Sequence, residues 1–197
     1  MTAIQGLNRS GGHEWHYSNF ILAFLCALVL SWGVSSFASG PYVSGFKAGF
    51  ENQKVVVSFG VGEAFNRDDL REAIDSTRTV TITFTAEVIK HRLLWKNKTI
   101  AKKVIKRLIT FDNLTRQYTI QTLVDGEQSG EDVAASYDEM AEKAASVRDI
   151  EVTSVADIEP GAAYTVRARV RLLSGFTLWI IPWDVETPWV SQELDTP

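Results

Sequence analysis

The sequence has almost no cysteine and little histidine. Its 197 residues contain one cysteine and three histidines, with a formal net charge of −4 at pH 7. Cys26 lies in an apolar run near the amino terminus, so no disulfide framework can hold the rest of the chain together. Beyond residue 38 the only histidine is His91. Thiol chemistry and cysteine-ligated metals are excluded there, and packing alone has to stabilise the fold.

Charged residues are missing from residues 20–38, a run of about nineteen apolar and small residues. At about 1.5 Å of helical rise per residue, such a run reaches roughly 28 Å, close to the ~30 Å hydrocarbon core of a bilayer. Arg9 is the one firm positive charge before it and is partly offset by Glu14, which modestly favours a cytoplasmic amino terminus. We expect this run to direct export, which places the remaining chain outside the cytoplasm, in the periplasm.

Two fates of this apolar run stay open, anchorage in the inner membrane and release. Ser36 and Ala38 supply small residues where a signal peptidase reads them, so cleavage after Ala38 fits a signal peptide. Trp32 and the full apolar length suit an uncleaved membrane anchor. A buried core helix is a third interpretation, but the run has no polar stripe. The expected organisation is a polar region at 1–19, a signal peptide or transmembrane anchor at 20–38, a linker at 39–52 and a single extracytoplasmic β-rich domain at 53–197.

The domain shows clear strand patterns. Threonines alternate with apolar residues over residues 79–88, which predicts a half-buried strand. The apolar positions change parity after Val88, so we expect a bulge at Val88 to Ile89. Other strands are predicted at residues 54–58, 118–122, 162–172 and 176–181, with a turn at Asp125 and Gly126.

Two amphipathic helices are also predicted. Asn66 is a fitting N-cap for a helix over residues 66–76, and Phe65 and Leu70 have the spacing of a hydrophobic staple. The second helix covers residues 131–147. Residues 99–111 are ambiguous, because their apolar and basic positions fit a helical period better than a strand period.

The run Leu114-Thr115-Arg116-Gln117-Tyr118 follows an aliphatic and basic segment ending at Phe111, and Leu94-Trp95 precede that segment. This pattern resembles the bacterial domain of unknown function 4390 family, as do the export signal and the tryptophan-bearing carboxyl end. The resemblance implies that residues 99–111 form a strand rather than a helix. It also implies an exported protein of Gram-negative bacteria, with relatives often encoded beside a membrane sensor kinase and no established activity.

Together, the residues and the resemblance predict a β-rich α+β fold. We expect an antiparallel β-sandwich-like assembly of about six or seven strands with two helices, preceded by a hydrophobic amino-terminal helix.

A basic segment is the first candidate binding feature. No acidic residue occurs between Glu87 and Asp112, whereas lysine and arginine recur there. One interpretation is a solvated face on which lysines protect an edge strand. The other is contact with anionic lipid headgroups, cell-envelope polymers or an acidic protein partner. The candidate residues are Lys102, Lys103, Lys106, Arg107 and Arg116.

The aromatic carboxyl end is the second candidate. Phe176, Trp179, Trp183 and Trp189 suit either a packed core or a partner platform, since tryptophan is enriched at interaction hot spots. Trp183 and Trp189 therefore join the candidate partner-binding residues. Nucleic acid is not expected as a partner, because the net charge is negative.

Catalytic motifs are weak. The carboxylate pairs lie at predicted helix starts, where the helix macrodipole accounts for them, and no cofactor or metal is expected. The leading hypothesis is a noncatalytic exported module that binds an envelope protein partner, with a link to a membrane sensor kinase. The alternative is a cell-envelope hydrolase with dispersed catalytic residues. That alternative requires His91, a carboxylate and a hydroxyl to converge in one cleft.

Overall fold

The computed structural model describes residues 40–76, 78–174 and 184–195. These residues form ten β-strands, two α-helices and a short 3-10 helix. In chain order the elements are β1 (Tyr42–Glu51), β2 (Lys54–Gly62), α1 (Asp68–Asp75), β3 (Val80–Lys90), β4 (Lys98–Asp112), β5 (Gln117–Val124), β6 (Glu127–Ala134), α2 (Tyr137–Ala144), β7 (Ser146–Ser154), the 3-10 helix (Val155–Asp157), β8 (Tyr164–Ser174), β9 (Asp184–Glu186) and β10 (Val190–Leu194). The apolar run at 20–38 and the predicted strand at 176–181 lie outside the described residues.

The strands form two antiparallel sheets that pack face to face. The small sheet has the order β1-β2-β7, and the large sheet has the order β10-β8-β3-β4-β5-β6, with β9 paired to β8. Phe59 of the small sheet meets Phe84 of the large sheet with ring centroids 5.7 Å apart. Gln192 of β10 joins the sheets at one edge, because its side-chain amide bonds both to the backbone N–H and to the carbonyl of Ala48. The predicted β-rich antiparallel fold with two helices is confirmed, with more strands than expected.

Strand β3 follows from its alternating sequence. Its inward side chains are fully buried, whereas Thr81 and Thr83 between them are half-buried on the other face. The pairing of β3 with β4 shifts register between Val88 and Ile89, so the predicted bulge is confirmed. The inward set is Val80, Ile82, Phe84, Ala86 and Val88.

Residues of the ambiguous segment form the 15-residue strand β4, as the family resemblance implied. Neighbouring apolar residues such as Val104 and Ile105 share one stripe on a helix, but on a strand they point to opposite faces. Strand β4 lies between β3 and β5, and its apolar residues contribute to both faces of the sheet. Helical periodicity was misleading here, because apolar side chains are accommodated on either side of β4.

The linker predicted at 39–52 is wrong, because this segment contains β1. Tyr42 pairs with Gly62 at one end of the strand, and Glu51 pairs with Lys54 at the other. The strand has an irregularity between Ser44 and Lys47, where Gly45 adopts a left-handed φ of 60°. Four partly buried apolar side chains of β1 pack against the hydrophobic core, namely Val43, Phe46, Ala48 and Phe50.

The first helix is close to its predicted range. Leu70, Ala73 and Ile74 are buried as its apolar stripe predicted. Its N-cap residue is Arg67 rather than Asn66, whose side-chain amide instead donates to Glu63. The helix therefore starts slightly later than its sequence signal indicated.

The second helix is shorter than predicted, because residues 127–134 form β6 instead. Asp125 and Gly126 adopt left-handed φ values of 52° and 98°. Such a turn sends the chain directly back as a hairpin, and β6 pairs with β5. The predicted turn was correct, but its returning strand was not recognised.

The start of α2 carries its own sequence signal. The Ser136 hydroxyl accepts a hydrogen bond from the backbone N–H of Glu139 at 3.2 Å. The Glu139 carboxylate accepts in return from the backbone N–H of Ala135 at 2.9 Å. This Ser-x-x-Glu spacing is a capping arrangement that favours a helix beginning after Ser136.

Two buried tyrosines tie the helices to the rest of the domain. The Tyr118 hydroxyl of β5 donates to Asp75 at 2.9 Å, and the Tyr137 hydroxyl of α2 donates to the Phe65 carbonyl at 3.0 Å. Burial raises the pKa of Tyr118 to about 12, and the hydrogen bond to Asp75 is the second cause of this increase. Burial likewise raises the pKa of Tyr137 to about 12.

We expect the free energy of unfolding to fall as the pH rises from about 10 towards 12. Below about pH 10 the tyrosines are protonated in both states, so their contribution is fully present. Above about pH 10 the tyrosines of the unfolded state lose their protons while those of the folded state keep them. Each tyrosine therefore costs about 2 kcal/mol of stability by the time the pH reaches its folded pKa of about 12. Urea unfolding across this range measures the decline. Tyr118→Phe should make it shallower, and the same slope in this variant would contradict the role of Tyr118.

Candidate functional site: the outer face of the large sheet

The basic candidates of β4 divide between the two faces of the large sheet. Directly paired residues of antiparallel strands project to the same face. Arg107 pairs with Ile82 and Lys103 pairs with Ala86, and both partners are inward residues. The expectation that Lys103 and Arg107 belong to one basic surface with Lys102 and Lys106 is therefore wrong.

Arg107 serves the packing of the domain. Its guanidinium carbon lies 5.7 Å from the ring centroid of Phe84. Its Nη1 donates to the carbonyl of Lys143 in α2. Burial lowers the pKa of Arg107, with the charge of Asp132 acting in the opposite direction. A guanidinium held in this way supports the fold and lies on the inner side of the large sheet, away from Lys102 and Lys106.

Lys103 is also engaged within the domain. Its ammonium lies 2.9 Å from the Asp125 carboxylate, in the turn between β5 and β6. The same carboxylate accepts from the backbone N–H of Val104, and these bonds offset its burial to lower the pKa of Asp125. Lys103 therefore fixes the β5–β6 turn against β4.

Lys102 and Lys106 point to the outer face. Lys102 pairs with Glu87 and Lys106 with Thr83, and neither partner belongs to the inward set of β3. Strand β8, on the other side of β3, adds three arginines to this face. We define the basic face as Lys102, Lys106, Arg167, Arg169 and Arg171.

A buried carboxylate organises the centre of the basic face. Glu87 is 7% exposed and accepts from Arg167 Nε at 2.9 Å and Arg167 Nη2 at 2.6 Å. The Lys102 ammonium lies 3.5 Å from the other oxygen of Glu87. Two cations thus compensate one buried anion and fix the positions of three side chains from three strands.

The remaining arginines are paired more loosely. Arg169 lies 2.7 Å from Glu186, and Arg171 bonds to Asp184, with all four side chains partly exposed. Lys106 is exposed and has no ion pair within the described residues. The face is basic, and its partly exposed pairs leave the arginines accessible to other anions.

Trp189 brings the carboxyl end onto the basic face. The guanidinium carbons of Arg167 and Arg169 lie 4.2 Å and 4.5 Å from its ring centroid, within cation–π distance. The basic segment and the tryptophan end were predicted as separate candidate surfaces. The structure joins the outward lysines and Trp189 on one face.

Thr187 holds this segment in place. Its hydroxyl accepts from the backbone N–H of Val170 at 2.9 Å, and its own N–H donates to the Val170 carbonyl. Thr187 is 3% exposed, so these bonds are shielded from water. The position of Trp189 is thereby fixed relative to β8.

The other site candidates fall elsewhere. Arg116 is exposed in the turn between β4 and β5, where it adopts a left-handed φ of 55°. Lys102 lies towards the opposite end of β4, so Arg116 does not join the basic face. Trp183 lies outside the described residues.

The three β8 arginines were missed in the sequence. Arg167, Arg169 and Arg171 alternate with Val166, Ala168, Val170 and Leu172, which are buried. This alternation alone places the arginines on the face opposite the core.

His91 lies on the exposed base of the loop between β3 and β4. Its Nε2 is 2.6 Å from the Thr165 hydroxyl, and its backbone N–H donates to Ala163. A hydrolase would also require a carboxylate at this imidazole. Among the described residues, no group of three or more His, Cys, Asp or Glu side chains could hold a metal ion.

A polar cleft of about 560 Å³ lies between β4 and α2. Arg107, Glu139, Lys143 and Arg148 contribute charges of both signs to its walls. Glu139 and Lys143 pair with each other at 2.7 Å, which lowers the pKa of Glu139 and raises the pKa of Lys143. The charges of the cleft therefore neutralise one another in part.

The sequence model of one family, described as Domain of unknown function (DUF4390), matches residues 39–192. The chain belongs to the DUF4390 family. The match includes both sheets of this DUF4390 domain and most of β10, and it confirms the resemblance based on residues 114–118. No curated protein and no solved structure matches the chain. Within the described part of the DUF4390 chain, no helix has the length and apolar character needed to span a membrane.

Proposed function

We propose that this DUF4390 protein is a noncatalytic binding module of the bacterial cell envelope that binds an acidic protein partner through its basic face. The observation that carries the proposal is the stack of Trp189 on Arg167 and Arg169. Tryptophan and arginine are the residue types most enriched among interface hot spots. Here they meet on an open sheet face beside Lys102 and Lys106.

The ion pairs of the basic face are exposed enough for carboxylates of a binding partner to replace the carboxylates of this chain. Arg169 and Glu186 are 31% and 40% exposed, and exposed ion pairs contribute only about 0 to 1 kcal/mol to stability. An acidic partner can therefore replace Glu186 at Arg169 with little loss to the fold. Lys106 needs no such exchange, because it has no ion pair among the described residues. The face thus favours a partner that presents several carboxylates.

Export is part of the proposal and is supported by the apolar run at 20–38. A location outside the cytoplasm makes the extracytoplasmic part of a membrane protein a suitable partner. The family resemblance directs attention to sensor kinases among such proteins.

The test uses a photo-crosslinking amino acid at position 191, which is exposed and pairs with Arg167 at the border of the basic face. Irradiation of intact cells should give a discrete protein adduct. Lys102→Glu combined with Lys106→Glu should reduce this adduct at least tenfold, because both substitutions repel an acidic partner. Lys106→Glu should leave the unfolding temperature nearly unchanged. Lys102→Glu should lower the unfolding temperature modestly, because the contact between Lys102 and Glu87 is lost.

The matched control reverses the same number of charges on the small sheet. Lys47→Glu combined with Arg148→Glu changes two exposed side chains and should preserve the adduct. An adduct that persists in the Lys102 and Lys106 variant, or that disappears equally in both variants, would contradict binding through the basic face.

A further inference from the structure

The loop between β3 and β4 presents three consecutive large apolar side chains to solvent. Leu93 is 100% exposed, Leu94 is 86% exposed and Trp95 is 78% exposed. Contiguous exposed apolar residues of this size mark an interaction site. None of these residues belongs to the basic face, so the loop has to be explained separately.

Basic side chains surround this apolar tip. Arg92 directly precedes it, Lys96 and Lys98 follow it, and all three side chains are exposed. The nearby carboxylate of Glu159 bonds to Lys90, and this bond, together with the charges of Lys90, Arg92 and Lys98, lowers the pKa of Glu159. One carboxylate thus faces several cations, and the tip as a whole is positive.

The base of the loop is anchored to β8. The backbone N–H of His91 donates to the Ala163 carbonyl at 2.9 Å, and its side chain contacts Thr165. Lys90 pairs with Tyr164 in the sheet and bonds to Glu159. The tip therefore projects from a fixed base at the end of two long strands.

We propose that Leu93, Leu94 and Trp95 insert into the interface of an anionic lipid bilayer, with Arg92, Lys96 and Lys98 contacting the lipid phosphates. Tryptophan is enriched at the membrane interface, and basic residues near a membrane surface attract anionic lipids. A protein hot spot usually lies near the centre of an interface, surrounded by contacts that exclude water. A narrow loop tip lacks such surrounding contacts, whereas lipids close around inserted side chains.

The test uses the full-length chain with Cys26→Ser, so that a single cysteine can carry an environment-sensitive NBD fluorophore. The label is placed at Leu94→Cys, and the protein is reconstituted into phosphatidylcholine vesicles with or without about one third phosphatidylglycerol. Spin-labelled lipids should quench the fluorophore at least fivefold more in the anionic vesicles. The comparison between vesicles cancels any contribution of residues 20–38 to membrane attachment.

The matched control is the same label at Leu114→Cys. Leu114 is 96% exposed in the turn at the other end of β4, and a label there should remain in water in both vesicle types. Replacing Arg92, Lys96 and Lys98 with glutamine should reduce quenching at position 94 in the anionic vesicles to the level seen in the neutral vesicles, since the attraction of these basic side chains to anionic lipid is lost.

Three outcomes would overturn the proposal. The label at position 94 could stay in water in both vesicles, enter neutral and anionic vesicles equally, or be quenched no more than the label at position 114. The residues tested here do not overlap the basic face, so this result and the crosslinking result are independent.

Discussion

Replacing Phe84 with alanine is expected to lower the free energy of unfolding by about 3 to 5 kcal/mol. Phe84 is fully buried in β3, and its ring packs edge-on against Phe59 of the opposite sheet at 5.7 Å. The guanidinium of Arg107 lies over the same ring. Neighbours fixed by two different sheets cannot collapse into the space that the substitution leaves. The loss therefore includes both the transfer of the ring and the cavity.

Urea unfolding of Phe84→Ala measures this effect, with Phe84→Leu as a milder variant that costs about 1 to 2 kcal/mol. Natural domains are stable by about 5 to 15 kcal/mol, so the alanine variant is expected to be only marginally folded. Phe50→Ala is the positional control, because Phe50 of β1 is partly buried at the margin of the core. A loss at Phe50 as large as that at Phe84 would contradict a core centred between the two sheets.

Strand β3 could be predicted from its sequence because its partners bury one face completely. Because only one face is buried completely, apolar and polar residues alternate along residues 79–88, and this pattern can be read from the strand's own sequence. The change of parity at Val88 revealed the bulge for the same reason.

Strand β6 could not be predicted in this way. Of its residues only Ala134 is buried, so the strand has no apolar alternation. Its conformation follows from the Asp125–Gly126 turn and from pairing with β5, which are set by backbone geometry and a neighbouring strand. Strand β1 was missed because its glycines are typical of a linker, although its partly buried apolar residues join the core.

The candidate site was only partly predictable. The basic character of β4 was visible, but the face of each side chain depends on whether the segment is a strand or a helix. Once residues 99–111 are extended, alternation separates Lys102 and Lys106 from Lys103 and Arg107. The stack of Trp189 on the β8 arginines is a tertiary contact and has no local signal in the sequence.

The second large effect is expected at Arg107. Arg107→Glu should lower the free energy of unfolding by about 2 to 4 kcal/mol, because it places a carboxylate in a half-buried position where burial already disfavours a charge. The substitution removes the cation over Phe84 and the bond to the Lys143 carbonyl. It also brings a carboxylate near Asp132, whose charge favours the native guanidinium. Burial and repulsion therefore act in the same direction.

Lys106→Glu is the matched control, since it makes the same kind of charge reversal one residue away. Lys106 is exposed on the outer face, so the change should remain within about 0.5 kcal/mol. Arg107→Met retains most of the packing without introducing an anion and should cost about 1 kcal/mol. Urea unfolding of all three variants distinguishes the two faces of β4. Equally small losses for Arg107→Glu and Lys106→Glu would show that Arg107 is as free as Lys106, and would return both residues to a single basic surface.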